Sequence, residues 1–287
     1  MSSIVPISSK DLISNGFNNQ YKYTFPASAS FKDVEVAVQS IAMYNSQFNI
    51  DATTYGNTTF KIEVPTAATV SIISINLKDG IYDYTDINRM IQTSLVNAGA
   101  YLIDASGKNE FFIQLIENST YYAAQVDVSA TPIAIGTYTR PASGLYSSGG
   151  SGLPTTSRVP RLIIDNAEFG KILGFNIGSY PSASSTTAAS FLSDMTPQVN
   201  PVSAYVVRCS LVNNSFTAPP DILTVFTNQN TEKGQLISYQ PNEFSWMKVN
   251  DGSYSIVLIT IVDQLERFIK FKDPNLLISL SFRQSKK

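Results

Sequence analysis

Apolar and polar residues alternate over many short stretches of this chain, and a period of two predicts strands. Tyr21, Tyr23 and Phe25 alternate across Gln20–Phe25, which Pro26 ends. Val34, Val36 and Val38 mark one face of Phe31–Tyr44, with Asp33, Glu35 and Gln39 at exposed positions. Phe60, Ile62 and Val64 do the same for Thr59–Val64, stopped by Pro65. In Val70–Leu77, Ile73, Ile75 and Leu77 oppose Ile72, Ser74 and Asn76. The last third repeats the pattern over Ala204–Val212, Ile222–Phe226, Gly234–Tyr239, Phe244–Val249, Ser253–Val262 and Leu276–Phe282. Asp251-Gly252 between two of these runs is a hairpin signal.

The period changes to a helical one after Lys78-Asp79-Gly80. Ile87, Met90, Ile91, Leu95 and Ala98 recur on one helical face. Thr85 is the expected N-cap, Asp86 places negative charge where the helix dipole favours it, and Gly99 closes the helix. A second, single-turn helix is expected within 165–181, capped by Asp165 or Asn166, with Phe169, Ile172 and Leu173 inward and Gly174 at its end. Gly170, Gly174 and Gly178, four apart, read as structural packing.

The middle is otherwise loop-rich. Glu110–Ile116 and Tyr121–Val128, joined by Asn118-Ser119, read as a hairpin. Residues 131–157, centred on SSGGSG, read as a long mobile loop or loop excursion. They lack the Gly-Lys-Ser/Thr ending of a phosphate loop. Val159–Ile164 is a short apolar run and 182–201 a Ser/Thr/Ala-rich linker. The first residues are polar apart from Ile4-Val5-Pro6-Ile7, and read as an arm that orders on a partner or as a frayed terminus.

Strands at both ends and loops between them predict an all-β chain: a single jelly-roll β-sandwich with a capped helix. The expected divisions are an N-terminal arm over 1–18, the first half of the jelly roll plus the helix over 19–99, an insertion region over 100–200, and the second half over 201–287. The insertion, loop-rich with room for further strands, is expected between the fourth and fifth strands.

Composition narrows the function. Of 287 residues only 15% are charged, and the net charge of −2 does not mark a general nucleic-acid binder. There is no histidine, which removes the commonest general base and a favoured metal ligand. The single Cys209 excludes an internal disulfide and, in the apolar run YVVRCSLV, reads as a small strand residue. No stretch has the length of a membrane span and no signal-peptide core is seen, so folding in the cytosol is expected. Asn57-Thr58-Thr59, Asn118-Ser119-Thr120 and Asn213-Asn214-Ser215 match the glycosylation pattern, which carries no meaning in a cytosolic chain.

Candidate chemistry is thin. Asp79, Asp83 and Asp86 lie near one another, but the calcium-loop spacing is missing and turn or cap roles account for them. Asp251, Asp263 and Glu266 are the carboxylates to weigh for glycoside hydrolysis, without any geometry to pair them. Trp246 with Tyr239 and Phe244 could stack on a sugar, although a lone strand Trp more often sits in a core or interface. Arg140, Arg158 and Arg161 near the glycine loop, and Lys286-Lys287, are modest cationic sites suited to acidic neighbours. The expectation is therefore no catalytic, cofactor-binding or metal-binding residue, no cofactor, and no enzyme.

Three phrases carry a family resemblance. "LKDGIYDYTDINRMIQ" (77–92), "DNAEFGKILGFNIGSYP" (165–181) and "SIVLITIVDQ" followed by "FKDPNLLISLSFR" (within 253–283) stand in one order. Together they resemble the minor capsid, or penton, proteins of virophages (mavirus type) and polinton-like viruses. That resemblance implies a jelly-roll subunit forming homopentamers at the icosahedral fivefold vertices of a virion, between capsomers of the major capsid protein. It implies assembly in the host cytoplasm, with no nucleic-acid or membrane partner. Sandwich sides rich in Tyr, Thr and Asn would pack head to tail, the loop-rich middle would face outward, and the terminal segments would reach neighbouring capsomers. The alternative is a jelly-roll attachment module that binds a host glycan or receptor through the 131–157 loop or Trp246.

Overall fold

The computed structural model describes residues 2–67, 69–228 and 230–285. The chain divides into two compact units, one made of 1–48 with 202–287 and the other of 49–201. The first opens with β1 (Ser2–Ser8), β2 (Gln20–Phe31) and β3 (Val34–Tyr44). The second unit holds β4 (Thr59–Pro65), β5 (Val70–Asn76), α1 (Tyr84–Ala98), β6 (Leu102–Ile103), β7 (Asn109–Glu110), β8 (Ile113–Asn118) and β9 (Ala123–Val128). It continues with β10 (Arg161–Ile164), α2 (Ala167–Leu173), β11 (Gly178–Tyr180) and β12 (Ala189–Leu192). The chain then returns to the first unit with β13 (Tyr205–Cys209), β14 (Ile222–Phe226), β15 (Leu236–Tyr239), β16 (Met247–Lys248), β17 (Gly252–Asp263) and β18 (Leu276–Gln284).

In the first unit two sheets run β1-β18-β3-β15 and β14-β13-β17-β2, every pair antiparallel, with the short β16 also on β3. Successive long strands alternate between sheets except at β13–β14. This is the connectivity of a complete eight-stranded jelly roll. Its core follows from the period of two. Val257, Ile259 and Ile261 of β17, with Tyr205, Val207 and Cys209 of β13, bury one face of the second sheet. Val36, Val38 and Ile41 of β3, with Ile278 and Leu280 of β18, bury one face of the first.

The all-β jelly roll matches the expectation, but three of its parts do not. Residues 2–8 are not a free arm: β1 pairs with β18 from Ser2↔Arg283 to Ser8↔Leu277. Val5 and Ile7 supply an inward face there, and Pro6 is tolerated because an edge strand can spare an N–H. The insertion leaves after the third strand rather than the fourth, and spans 49–201 instead of 100–200. β4, β5 and α1 belong to it, because alternation says that a strand is half-buried and not which sheet buries it. Asp251-Gly252 does not close a hairpin between paired strands either. β16 lies on β3 and β17 on β2 and β13, so this turn carries the chain from one sheet to the other.

The second unit has its own core. Sheets β11-β10-β4-β5 and β12-β9-β8 pack with the apolar face of α1, where Ile87, Ile91 and Leu95 are buried. Asp83, not Thr85, is the N-cap: it accepts from Asp86 N–H at 2.8 Å while Asp86 accepts from Asp83 N–H at 3.2 Å. Gly99 closes α1 at φ 63° as expected. α2 starts on Asn166, which accepts from Glu168 and Phe169 N–H, and Phe169 stacks on Phe60 with centroids 4.4 Å apart.

Candidate functional site

The side chains singled out from the sequence are dispersed, and most are engaged in structure. Asp79 accepts from Ala52 N–H at 2.9 Å, whereas Asp83 and Asp86 close the α1 capping box and Asp86 also pairs with Arg89 at 2.5 Å. Among the described residues no three His, Cys, Asp or Glu side chains are grouped to hold a metal ion. Asp251 sits at one end of β17 and accepts from Asp33 N–H at 3.0 Å. Asp263 is at the other end, fully buried, where it accepts from Leu265 and Arg267 N–H and pairs with Arg267 Nε at 2.8 Å. Twelve residues of strand separate them, roughly 35 to 40 Å at 3.3 Å per residue, so they cannot flank one bond. Glu266 lies in the turn beside Asp263 with a left-handed φ of 62°.

The aromatic trio is split. Trp246 meets Phe244 edge-on at 5.7 Å, but Tyr239 instead stacks on Phe226 at 5.2 Å. One face of the Trp246 ring is covered by the Arg283 guanidinium at 4.0 Å. Cys209 is fully buried and burial pushes its thiol up to about 12, the environment of an inert strand residue. Arg161 donates to the Pro181 and Ser182 carbonyls and pairs with Glu63 at 3.2 Å. Arg140 donates to the Tyr146 carbonyl at 2.7 Å, and Arg158 lies where its carbonyl accepts from Thr131 N–H. Lys286 and Lys287 lie outside the described residues. Asn57 is buried, donating to the Asn49 carbonyl and accepting from Asp51 N–H, which closes it to glycosylation.

The glycine-rich stretch is a packed loop and not a mobile one. Leu145 and Tyr146 N–H donate to the Ala98 and Gly99 carbonyls at 2.8 Å, and the buried Tyr146 hydroxyl donates to the Pro65 carbonyl at 2.9 Å. Its glycines serve close approach: a Cβ on Gly144 would meet Gly99 Cα at 2.6 Å.

What remains as candidate functional geometry is surface. The two lateral flanks of the jelly roll differ. One carries β1 and β2, and the other carries β14 and β15, tied by the Phe226–Tyr239 stack. Exposed apolar side chains occur on and near the second flank, at Val225 and Leu236. In the second unit two adjoining recesses of about 240 and 320 Å³ share Asp83, Tyr84 and Glu117. Burial, then Glu117, pushes the Tyr84 hydroxyl up to about 12. Tyr121 and Tyr122 stand at the β8–β9 tip, 68% and 74% exposed. Phenol faces and carboxylate acceptors suit a ligand with both apolar faces and hydroxyl donors.

Two similar solved structures come from virophages. The chain is similar to the mavirus penton protein, at 10% identity and a TM-score of 0.44, over 98% of this chain and 96% of that one. It is similar to a chain of the Sputnik virophage structure determined by electron cryo-microscopy, at 14% identity and a TM-score of 0.44, over 99% and 98%. No protein-family model matches the chain, and no curated protein is significantly similar. At these identities and TM-scores the jelly roll rests on its own strand order.

The recess in the second unit was not legible in the sequence. Its residues come from the start of α1, the β8–β9 hairpin and the 197–200 segment, and no periodicity links these places. The adjacent Tyr121-Tyr122 after the Asn118-Ser119 turn is the one feature of the sequence that points there, and of the two Tyr122 lines the recess. No helix among the described residues is long and apolar enough to cross a membrane.

Proposed function

We propose that this chain is a virophage-type minor capsid (penton) protein, a non-enzymatic building block whose jelly roll associates with copies of itself into homopentamers at icosahedral fivefold vertices. One observation carries the reading: a complete eight-stranded jelly roll whose two lateral flanks are unlike each other. Flank-to-flank contact between such units is heterologous, and a heterologous contact closes into a ring when its rotation divides a full turn. The three family phrases support five as the number, capsomers of the major capsid protein as the neighbours and the virion as the location, after assembly in the host cytoplasm. The absence of histidine, the engaged carboxylates and the inert thiol support a role without catalysis. Light scattering on the size-exclusion peak, with negative-stain microscopy, tests it. Particles of five times the 31.4 kDa chain mass are expected. Monomers alone, persisting when major capsid protein is added, would end the reading.

The second reading, attachment to a host glycan, draws on the Tyr84–Glu117 recess and the exposed Tyr121 and Tyr122 rather than on the 131–157 loop or Trp246. A glycan array distinguishes it: specific binding that disappears in Tyr122→Ala supports attachment, and an empty array removes it.

A further inference from the structure

Within the jelly-roll unit one side chain and one recess fit each other. Phe216, on the loop between β13 and β14, is 96% exposed. The loop that presents it is tied to itself. Phe216 N–H donates to Asn214 Oδ1 at 3.0 Å, Asn214 N–H to the Pro220 carbonyl at 2.5 Å, and Thr217 Oγ1 to the Pro219 carbonyl at 2.9 Å. A phenyl ring held out by an ordered loop loses little freedom when it docks.

The recess lies on the opposite flank. Between Thr24↔Ile256 and Ala29↔Tyr254, four residues of β2 stand against Ser255 alone. Beside this bulge, between β2 and the β1–β18–β3 sheet, is an opening of about 310 Å³ lined by Val5, Phe25, Phe31, Val34 and Phe282 under a polar rim that includes Ser30. Phe31 stacks on Phe282 at 5.4 Å and meets Phe25 at 5.9 Å, so aromatic rings form the floor. A void of roughly 150 Å³ is enough for a benzene ring.

Knob and recess also lie at the same end of the sandwich. β13 runs toward the Gly252 end of β17, since Tyr205 pairs with Asp263 and Cys209 with Ile259. Val212 then bridges Val249, whose N–H donates to the Val34 carbonyl at 2.9 Å. The Phe216 loop therefore leaves at the end where β2 turns into β3, which is where the recess opens. A knob and a recess at the same end of the sandwich suit a closed ring, in which one rotation joins neighbours with no rise along the axis.

We infer that Phe216 of one copy seats in the Phe25–Phe31–Phe282 recess of the next, and that this contact is the anchor of the self-association proposed above, on which it rests. The 96% exposure means that substitutions at Phe216 leave folding and melting temperature unchanged. Phe216→Asp is expected to abolish rings, Phe216→Ala to weaken association roughly 30-fold or more, as for an interface anchor, and Phe216→Trp to retain it. Ser215→Cys, which keeps the Phe216 ring, combined with Ser30→Cys is expected to give a ladder of covalent multimers on mild oxidation, with buried Cys209 silent. Rings in the unmodified protein that survive Phe216→Asp, or that give no ladder in the double variant, overturn this contact and leave the pentamer standing. Absence of any ring in the unmodified protein overturns both.

Discussion

The Arg283 guanidinium lies 4.0 Å from the centre of the Trp246 ring while its Nε donates to Glu35 Oε2 at 2.8 Å. The planar cation thus covers the only indole in the chain and ties it to the β3–β18 pair. Arg283→Ala should uncover the ring and shift its fluorescence to longer wavelength, with a loss of about 1–2 kcal/mol in urea unfolding. Arg283→Lys keeps the charge without the flat stacking surface and should fall between. An unchanged emission spectrum in Arg283→Ala would mean that the stack does not form in solution.

The close approach of Gly99 and Gly144 makes a sharper prediction. A Cβ on Gly99 would lie 2.2 Å from the Ser143 carbonyl oxygen, at a φ of 63°. Both the clash and the backbone region oppose any other residue, so Gly99→Ala should cost about 2–4 kcal/mol. Gly107 has a φ of 84° with nothing within 4 Å of the added carbon, so Gly107→Ala should cost only about 1 kcal/mol. Denaturant midpoints of the two variants give the comparison, and equal losses would refute the close-packing account of the glycine-rich loop.

How much was readable follows from which signals are local. The period of two located nearly every long strand, and helical spacing with Gly99 and Gly174 located both helices. What failed was non-local. Val5 and Ile7 alternate over too few residues to outweigh Pro6 and the polar neighbours, so β1 was invisible without its partner β18. Alternation in β4 and β5 was real, yet it belonged to a second core. The SSGGSG composition suggested motion, because a sequence cannot reveal that its glycines permit contact with Gly99. The Phe216 knob had no pattern at all: one aromatic residue in a polar loop becomes informative only when its exposure is known.

Alkaline pH should destabilise the core, where burial holds a thiol and several phenols neutral. Burial raises the Cys209 thiol from 9.0 to about 12 and the Tyr146 hydroxyl from 10.0 to about 12. It raises the Tyr205 and Tyr21 hydroxyls further. Each group stays neutral in the fold at a pH where the unfolded chain would ionise. The unfolded chain therefore binds fewer protons, and the stability that these groups confer is full below pH 9 and lost as pH rises from 9 toward 12. Denaturant midpoints should be level across neutral pH and fall steeply above 9. Cys209 should also resist a thiol reagent in the native state and react fully in denaturant; native reactivity would contradict its burial.

Arg161 offers the last test, because it closes an ion pair and two carbonyls at once. Its Nη1 meets Glu63 at 3.2 Å, its Nε donates to the Pro181 carbonyl at 2.9 Å and its Nη2 to the Ser182 carbonyl at 2.8 Å. Both charged side chains are less than one-fifth exposed, at 18% and 15%, so this pair is screened less than the surface pair of Lys171 and Glu168 at 51% and 50%. Arg161→Met removes the cation and leaves the mostly buried Glu63 carboxylate without it beside β10. A loss of about 2–3 kcal/mol is expected, against less than about 0.5 kcal/mol for Lys171→Met. Glu63→Gln in the Arg161→Met background should restore part of the loss, since the stranded charge is then gone. A double variant no more stable than Arg161→Met would place the effect in the two carbonyl bonds, which hold the segment after β11 in place, and not in the ion pair.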